Sequence, residues 1–177
     1  PGSHFGRFII EQRLGAGTTG TVFRARSLEG NKTVAIKVLL PHLAKDRTVL
    51  VLFEEEARVG LQLSHPNIVQ TIYVGRYGEL PYIVFEFVHG LTLQSMLASG
   101  PLPQPHCLWI LRQLGQALRQ LRQKNLVHQD IKPDNIIINH EGNAKLTDLG
   151  FARAVKGRIS WAGVAAGTPL YISPEQA

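Results

Sequence analysis

The chain is short of everything that holds a protein together other than a packed core. It has one cysteine, Cys107. A single thiol excludes an internal disulfide and a cysteine-built zinc site, and it fits a reducing, cytoplasmic setting. Charge is sparse as well: 18% of the 177 residues are Asp, Glu, Lys or Arg against 44% hydrophobic. That excludes the charged, weakly apolar composition of a disordered chain. No apolar run approaches the ~18 residues needed to cross a bilayer, so no membrane segment is expected in this chain. The net charge is +6, but its basic residues are scattered. The densest group, Arg112, Arg119, Arg122 and Lys124, falls along one predicted helix and reads as a solvated face; no nucleic-acid partner is expected. Asn31-Lys32-Thr33 matches a glycosylation sequon, a triplet that chance supplies often. Pro1-Gly2-Ser3-His4 lacks a methionine, reads as a cloning remnant and is left out of the fold argument. There is no internal repeat.

What is present has a clear order. Phe8 to Leu14, Thr21 to Arg26 and Thr33 to Leu40 read as strands joined by turns, the last turn being Glu29-Gly30-Asn31-Lys32. Asp46 to Leu63 reads as a helix capped by Asp46 and ended by Ser64-His65-Pro66, with Leu50, Phe53, Ala57 and Leu61 as its apolar face. Two more strands are expected near Ile68 to Val74 and Tyr82 to Val88. Past Gly90 the pattern turns helical. Thr92 to Ser99 is a short helix, and Pro105 to Lys124 is a long amphipathic one with Leu108, Leu111, Leu114, Leu118 and Leu121 as its buried stripe. Short strands follow at Ile136 to Asn139 and Ala144 to Thr147, and residues 150–177 read as loop. The expectation is a small β-rich lobe with one helix, then a helical lobe, with a cleft between them as the natural ligand site.

Several motifs carry chemistry. Gly15-Ala16-Gly17-Thr18-Thr19-Gly20 fits G-x-G-x-x-G. A dinucleotide site needs a helix directly after the glycines. Here Thr21-Val22-Phe23-Arg24 continues as strand, which favours a hairpin covering phosphates. In Val34-Ala35-Ile36-Lys37, strand alternation puts Ala35 and Lys37 on one face, a small side chain beside a cation, suited to a flat ring and a phosphate. Of Glu54, Glu55 and Glu56 on the following helix, Glu56 lies nearest the buried stripe and is the expected ion-pair partner of Lys37. In His128-Gln129-Asp130-Ile131-Lys132-Pro133-Asp134-Asn135, Asp130 can accept or orient a hydroxyl proton, Lys132 can offset charge on a transferred phosphoryl group, and Asn135 can ligate a metal. Asp148, opening Asp148-Leu149-Gly150, offers a second Mg²⁺ ligand.

Taken in order across residues 15–175, these motifs together with Gly167-Thr168-Pro169 and Ser173-Pro174-Glu175 resemble the protein kinase family. The segment Tyr171-Ile172-Ser173-Pro174-Glu175-Gln176 looks like the bacterial serine/threonine kinases of eukaryotic type. The resemblance implies an α+β bilobal fold, with an N-lobe of residues 8–88 built on a five-stranded antiparallel sheet plus one helix. Residues 1–7 are then remnant and lead, and residues 89–177 are part of a mainly helical C-lobe carrying the catalytic loop and activation segment. It implies ATP and Mg²⁺ as cofactors and phosphoryl transfer to serine or threonine of a protein substrate. Lys37, paired with Glu56, would hold the α- and β-phosphates under Gly15, Gly17 and Gly20. Asp130 would be the catalytic base beside Lys132, with Asn135 and Asp148 on the metal. Val22, Ala35 and Ile137 would sandwich adenine. Glu86 to Val88 would be the hinge reading its edge, beside Phe85 as gatekeeper. Lys37, Asp130, Asn135 and Asp148 are then expected to converge on one magnesium–triphosphate group.

The sequence departs from the family in places. Gln129 replaces the arginine that commonly anchors an activation-loop phosphate, as in a non-RD kinase, and a neutral amide makes no bidentate charged pair. Activation is therefore expected not to need that anchor, although Ser160 and Thr168 remain candidate phosphosites. Leu149 replaces phenylalanine. Gly60 and Thr71 fall where the family stacks larger apolar groups with Leu149 and His128. A thin stack predicts a loosely held helix, a readily populated Glu56-out state, and correction by an activating partner or a dimer. The chain ends just after Ser-Pro-Glu, so it reads as a fragment or a shortened kinase, with the α-helical face from Leu108 to Leu121 partly exposed or covered by another chain. An ATP-binding regulator without catalysis is the alternative reading. A small-molecule kinase of the aminoglycoside type is a third, disfavoured by the glycine hairpin, Lys132 and the segment from Thr168 to Glu175.

Overall fold

The alternation along the first third of the chain becomes an antiparallel sheet of six strands in a computed structural model, which describes residues 2–149, 153–154 and 171. The chain divides into two units. One comprises Pro1–Gln62 with Gln70–Phe87; the other comprises Leu63–Val69 with Val88–Ala177.

In the first unit the strands are β1 (Ser3–Phe5), β2 (Phe8–Ala16), β3 (Gly20–Ser27), β4 (Thr33–Leu39), β5 (Thr71–Tyr77) and β6 (Leu80–Glu86), in the order β1-β2-β3-β4-β6-β5. Five strands were expected. The sixth is the N-terminal lead, whose Ser3, His4 and Phe5 pair with Ile10, Ile9 and Phe8. Phe5 anchors it, with its ring 4.6 Å from that of Tyr77 and 5.2 Å from that of Tyr82. Such ring contacts add to plain area burial, which short strands at an edge need. Alternation along β4 sorts its side chains. Val34, Ile36 and Val38 join Phe8, Ala25, Tyr82 and Val84 in one apolar cluster. Leu39 turns the other way and packs with Ile83 against Phe53 and Ala57. Those last two belong to α1 (Arg47–Leu61), whose N-cap Asp46 accepts hydrogen bonds from the N–H groups of Thr48 and Val49 at 2.9 and 3.3 Å.

The buried face of α1 differs from the expected stripe. Leu61 is exposed, and the face runs through Phe53, Glu56, Ala57, Val59 and Gly60. Gly60 is the reason. A Cβ there would collide with Thr71 Oγ1 and stand 3.0 Å from Thr71 Cβ, so the missing side chain is what lets α1 press onto β5. The expected thin stack at Gly60 and Thr71 is thus no gap: Thr71 fills the space. Gly60→Ala should cost about 1–3 kcal/mol, the usual penalty of overpacking. Thr71→Ala in the same background should recover most of it, as read by urea denaturation. A single variant unfolding with the parent would contradict this fit.

In the second unit, β7 (Gly90–Thr92), β9 (Ile136–Asn139) and β10 (Ala144–Leu146) form a sheet in the order β10-β9-β7, and β8 (Leu126–Val127) pairs with β11 (Arg153–Ala154). The helices are α2 (Leu93–Leu97), capped by Thr92, and α3 (Gln104–Gln123). The buried stripe of α3 is rotated from the expected leucine pattern, while its exposed leucines agree with the expectation of a partly exposed face. Leu108 and Leu111 are 60% and 63% exposed, while Ile110, Gln113, Leu114, Ala117 and Leu121 are buried. A polar residue turns the helix. Gln113 Oε1 accepts from Asn67 Nδ2 at 2.8 Å and from Ala144 N at 3.0 Å, and its Nε2 donates to Gly142 O at 3.3 Å. A buried amide so fully bonded outweighs two leucines' preference for burial. The same network ties residues 63–69 to the β-hairpin, with Leu146 N donating to Asn67 O and Val69 N donating to Leu146 O.

Candidate active site

The first unit holds the glycine hairpin, the lysine, and Phe85, Glu86 and Phe87. Gly15 to Gly20 turns β2 into β3 with no helix between, and Gly17 N donates to Gly20 O at 2.8 Å to close the turn. The glycines serve different ends. At Gly15 an added Cβ would meet open space, whereas at Gly20 it would stand 2.7 Å from Val38 O and 3.3 Å from Lys37 Cγ. Gly20 is therefore needed where β3 lies close against β4 beside the lysine. Gly20→Ala is expected to destabilise by about 1–3 kcal/mol and to weaken nucleotide binding by displacing Lys37. Gly15→Ala should unfold with the parent. Thermal melts with nucleotide titration separate the two, and coincident melts would refute the assignment.

Lys37 and Val22 are paired across β4 and β3, and Ala35 is paired with Phe85 on β6, so all four share the sheet face on which α1 packs. Lys37 Nζ donates to both Glu56 oxygens, at 2.8 and 2.7 Å, and Glu56 is 5% exposed. This short pair on a capped, closely packed helix argues against the expected Glu56-out state. Glu55 turns away to Arg58, whose hydrogen bond holds the carboxyl below its ordinary value. At the end of β6, Glu86 N donates to Gln70 O and Glu86 Oε1 accepts from Gln70 N, both at 2.9 Å. The N–H of Glu86 is therefore engaged, and any base edge met by this residue meets its carbonyl.

The second unit holds the loop 128–135 and Asp148. Asp130, 4% exposed, is the hub. Its Oδ2 lies 2.9 Å from Lys132 Nζ and accepts from Asn135 Nδ2 at 2.9 Å. Asn135 Nδ2 also donates to the Asp130 carbonyl at 2.8 Å. His128 is buried beneath: its Nδ1 accepts from Asp130 N at 3.3 Å and its Nε2 faces Thr147 O at 3.1 Å. This assigns the proton to Nε2, and burial pushes the imidazole's pKa down, so the ring stays neutral. Gln129 and Asp148 adopt left-handed backbone, with φ of 67° and 61°, a strain that tends to persist where function requires it. Val88 and Ile137 are half-buried in this unit. Ser160 and Thr168 lie outside the described residues.

Magnesium fits the second unit's donors. Asn135 commits its amide nitrogen to Asp130, so Oδ1 is the oxygen it could offer a metal, and Asp148 could offer a carboxylate. Among the described residues no three His, Cys, Asp or Glu side chains gather as a metal cluster. Magnesium needs none, since it takes one or two protein oxygens and fills the rest with phosphate and water.

Sequence reasoning missed Gln70, which holds Glu86, and the pair Asn67 and Gln113. Gln113 left a trace: it is a polar residue flanked in the helical pattern by Ile110, Leu114 and Ala117. Gln70 left none.

Comparison with known proteins shows the family. Residues 8–177 match the family model described as protein kinase domain. Serine/threonine-protein kinase PrkC of Bacillus subtilis is 38% identical over 174 residues, covering 97% of this chain and 27% of that protein. Serine/threonine-protein kinase pkn2 of Myxococcus xanthus is 36% identical over 179 residues, covering 97% and 22%. Serine/threonine-protein kinase PknB of Mycobacterium leprae is 38% identical over 178 residues, covering 97% and 29%. The chain thus spans under a third of the length of these three relatives.

Proposed function

Because the chain belongs to the protein kinase domain family, we propose that it transfers the γ-phosphoryl group of ATP to serine or threonine hydroxyls of protein substrates. The observation that carries this is the locked set at Asp130. A buried carboxylate, neutralised by Lys132 and oriented by Asn135, is suited to accept a hydroxyl proton as the oxygen attacks.

Each residue has a part in this reading. Lys37, steadied by Glu56, binds the α- and β-phosphates of ATP beneath Gly15, Gly17 and Gly20. Val22, Ala35 and Ile137 enclose the adenine, and Glu86 to Val88 offer it main-chain contacts beside Phe85. Asn135 and Asp148 would hold Mg²⁺, which when bound would offset the negative charge of the phosphates. Asp130 holds the substrate hydroxyl for in-line attack and takes its proton, while Lys132 balances the charge on the moving group. Ser160 and Thr168 are the candidate sites of modification. A cytoplasmic setting, where ATP is at hand, suits the lone thiol of Cys107. No helix of the described residues is long and apolar enough to cross a membrane.

The test is transfer of labelled phosphate from ATP to a generic protein substrate, with acid hydrolysis to identify the phosphorylated residue. Label on serine or threonine that disappears in Asp130→Asn supports the reading. ATP binding without transfer would make the chain a nucleotide-binding regulator instead.

A further inference from the structure

Arg24 belongs to none of the motifs, yet it sits where the nucleotide is expected. On β3 it pairs with Gln12 of β2 and Ala35 of β4, so it shares the sheet face of Ala35, Lys37 and Val22. Its guanidinium carbon lies 5.3 Å from the centroid of the Phe87 ring. Glu11 lies beside it as an ion-pair partner, without the geometry of a hydrogen bond to Arg24 Nε: Glu11 Oε2 lies 3.1 Å from Arg24 Nε, and Glu11 Oε1 lies 3.2 Å from Arg26 Nε. The ladder between β2 and β3 shifts register between Ile10 and Gln12, which puts Glu11 in a bulge. Bulges re-aim side chains, and this one lets a single carboxylate hold two guanidinium groups. Phe87 follows Glu86, whose main chain and side chain are both bonded to Gln70. Residues 86 and 87 are therefore held from two directions, by Gln70 on the backbone and by Arg24 on the ring.

We propose that Arg24 is a positioning residue for the nucleotide: acting through Phe87, and set by Glu11, it fixes the main chain at residues 86–88 that meets the adenine edge. This rests on the ATP reading of that segment. A cation over an aromatic ring contributes about 0.5–1 kcal/mol at a partly exposed site, or about two- to fivefold in a binding constant.

The experiment measures the Kd for ADP by calorimetry, KM and kcat for ATP in the transfer assay, and the thermal midpoint, all on the same variants. Arg24→Ala should raise Kd and KM by about two- to fivefold, with the loss in KM rather than kcat and with no matching fall in Tm. Arg24→Lys should recover only part, because an ammonium lacks the flat stacking surface. Phe87→Leu should weaken ADP to the same extent, and Arg24→Ala should then add nothing, since the two act as one unit. An Arg24→Ala protein that binds ADP like its parent overturns the inference while leaving ATP as substrate intact. So does an effect that adds fully to that of Phe87→Leu, or one that follows Tm alone. A parent protein that binds neither ADP nor ATP overturns both the inference and the ATP reading.

Discussion

Asp130→Asn should leave a folded protein that transfers phosphate about a hundred to ten thousand times more slowly, the range over which a positioned base contributes. The substitution is close to isosteric, and the contacts favour its retention. Lys132 Nζ and Asn135 Nδ2 both approach one oxygen, Oδ2, and the oxygen of an asparagine amide can take that place. What is lost is the capacity to accept a proton, together with the charge that Lys132 balances. Initial rates at saturating ATP report the chemistry, and the Kd for ADP checks that the nucleotide still binds. A rate within about tenfold of the parent would remove Asp130 from the base role.

Lys37→Met should act on stability and on transfer together. Lys37 and Glu56 side chains are 12% and 4% exposed. Removing the lysine leaves the Glu56 carboxylate buried without its cation, which costs about 3–5 kcal/mol when one partner of a buried pair is deleted. Phosphate transfer should fall with it, for want of the cation on the phosphates. The double variant Lys37→Met with Glu56→Leu separates the two effects. An apolar pair of similar volume is commonly neutral or stabilising at such a site, so urea denaturation should return toward the parent while transfer stays lost. If activity returned with stability, Lys37 would be a structural residue and no phosphate ligand.

The rotated helices show where pattern reading fails. A stripe of leucines at 108, 111, 114, 118 and 121 is a sound reading of periodicity, yet Leu108 and Leu111 face outward. Hydrophobic spacing weighs each apolar residue alike and has no account of a glutamine that gains three hydrogen bonds at once, two of them buried. On α1 the failure has a second form. Gly60 is silent to a hydrophobic count, but its missing side chain sets how near the helix comes to Thr71. The sixth strand was lost for another reason. Ser3 and His4 resemble a cloning remnant and Phe5 stands in the lead ahead of the first expected strand, but a strand needs only free backbone groups and an apolar anchor, here Phe5.

The sequence by itself determined the family and which residues are candidates for its chemistry. Lys37, Glu56, Asp130, Lys132, Asn135 and Asp148 stand at spacings whose meaning is local, since a residue's place on a strand, a helix face or a turn follows from its near neighbours and the backbone's two periods. The tertiary structure alone decided how those groups are held: that Glu56 reaches Lys37 at hydrogen-bond distance, that Gly20 lies close against β4, and that Gln70, Gln113 and Arg24 meet Glu86, Asn67 and Phe87. Such contacts join residues far apart in the chain. Their energies depend on burial and on the direction of each donor, and neither exists until the chain has folded.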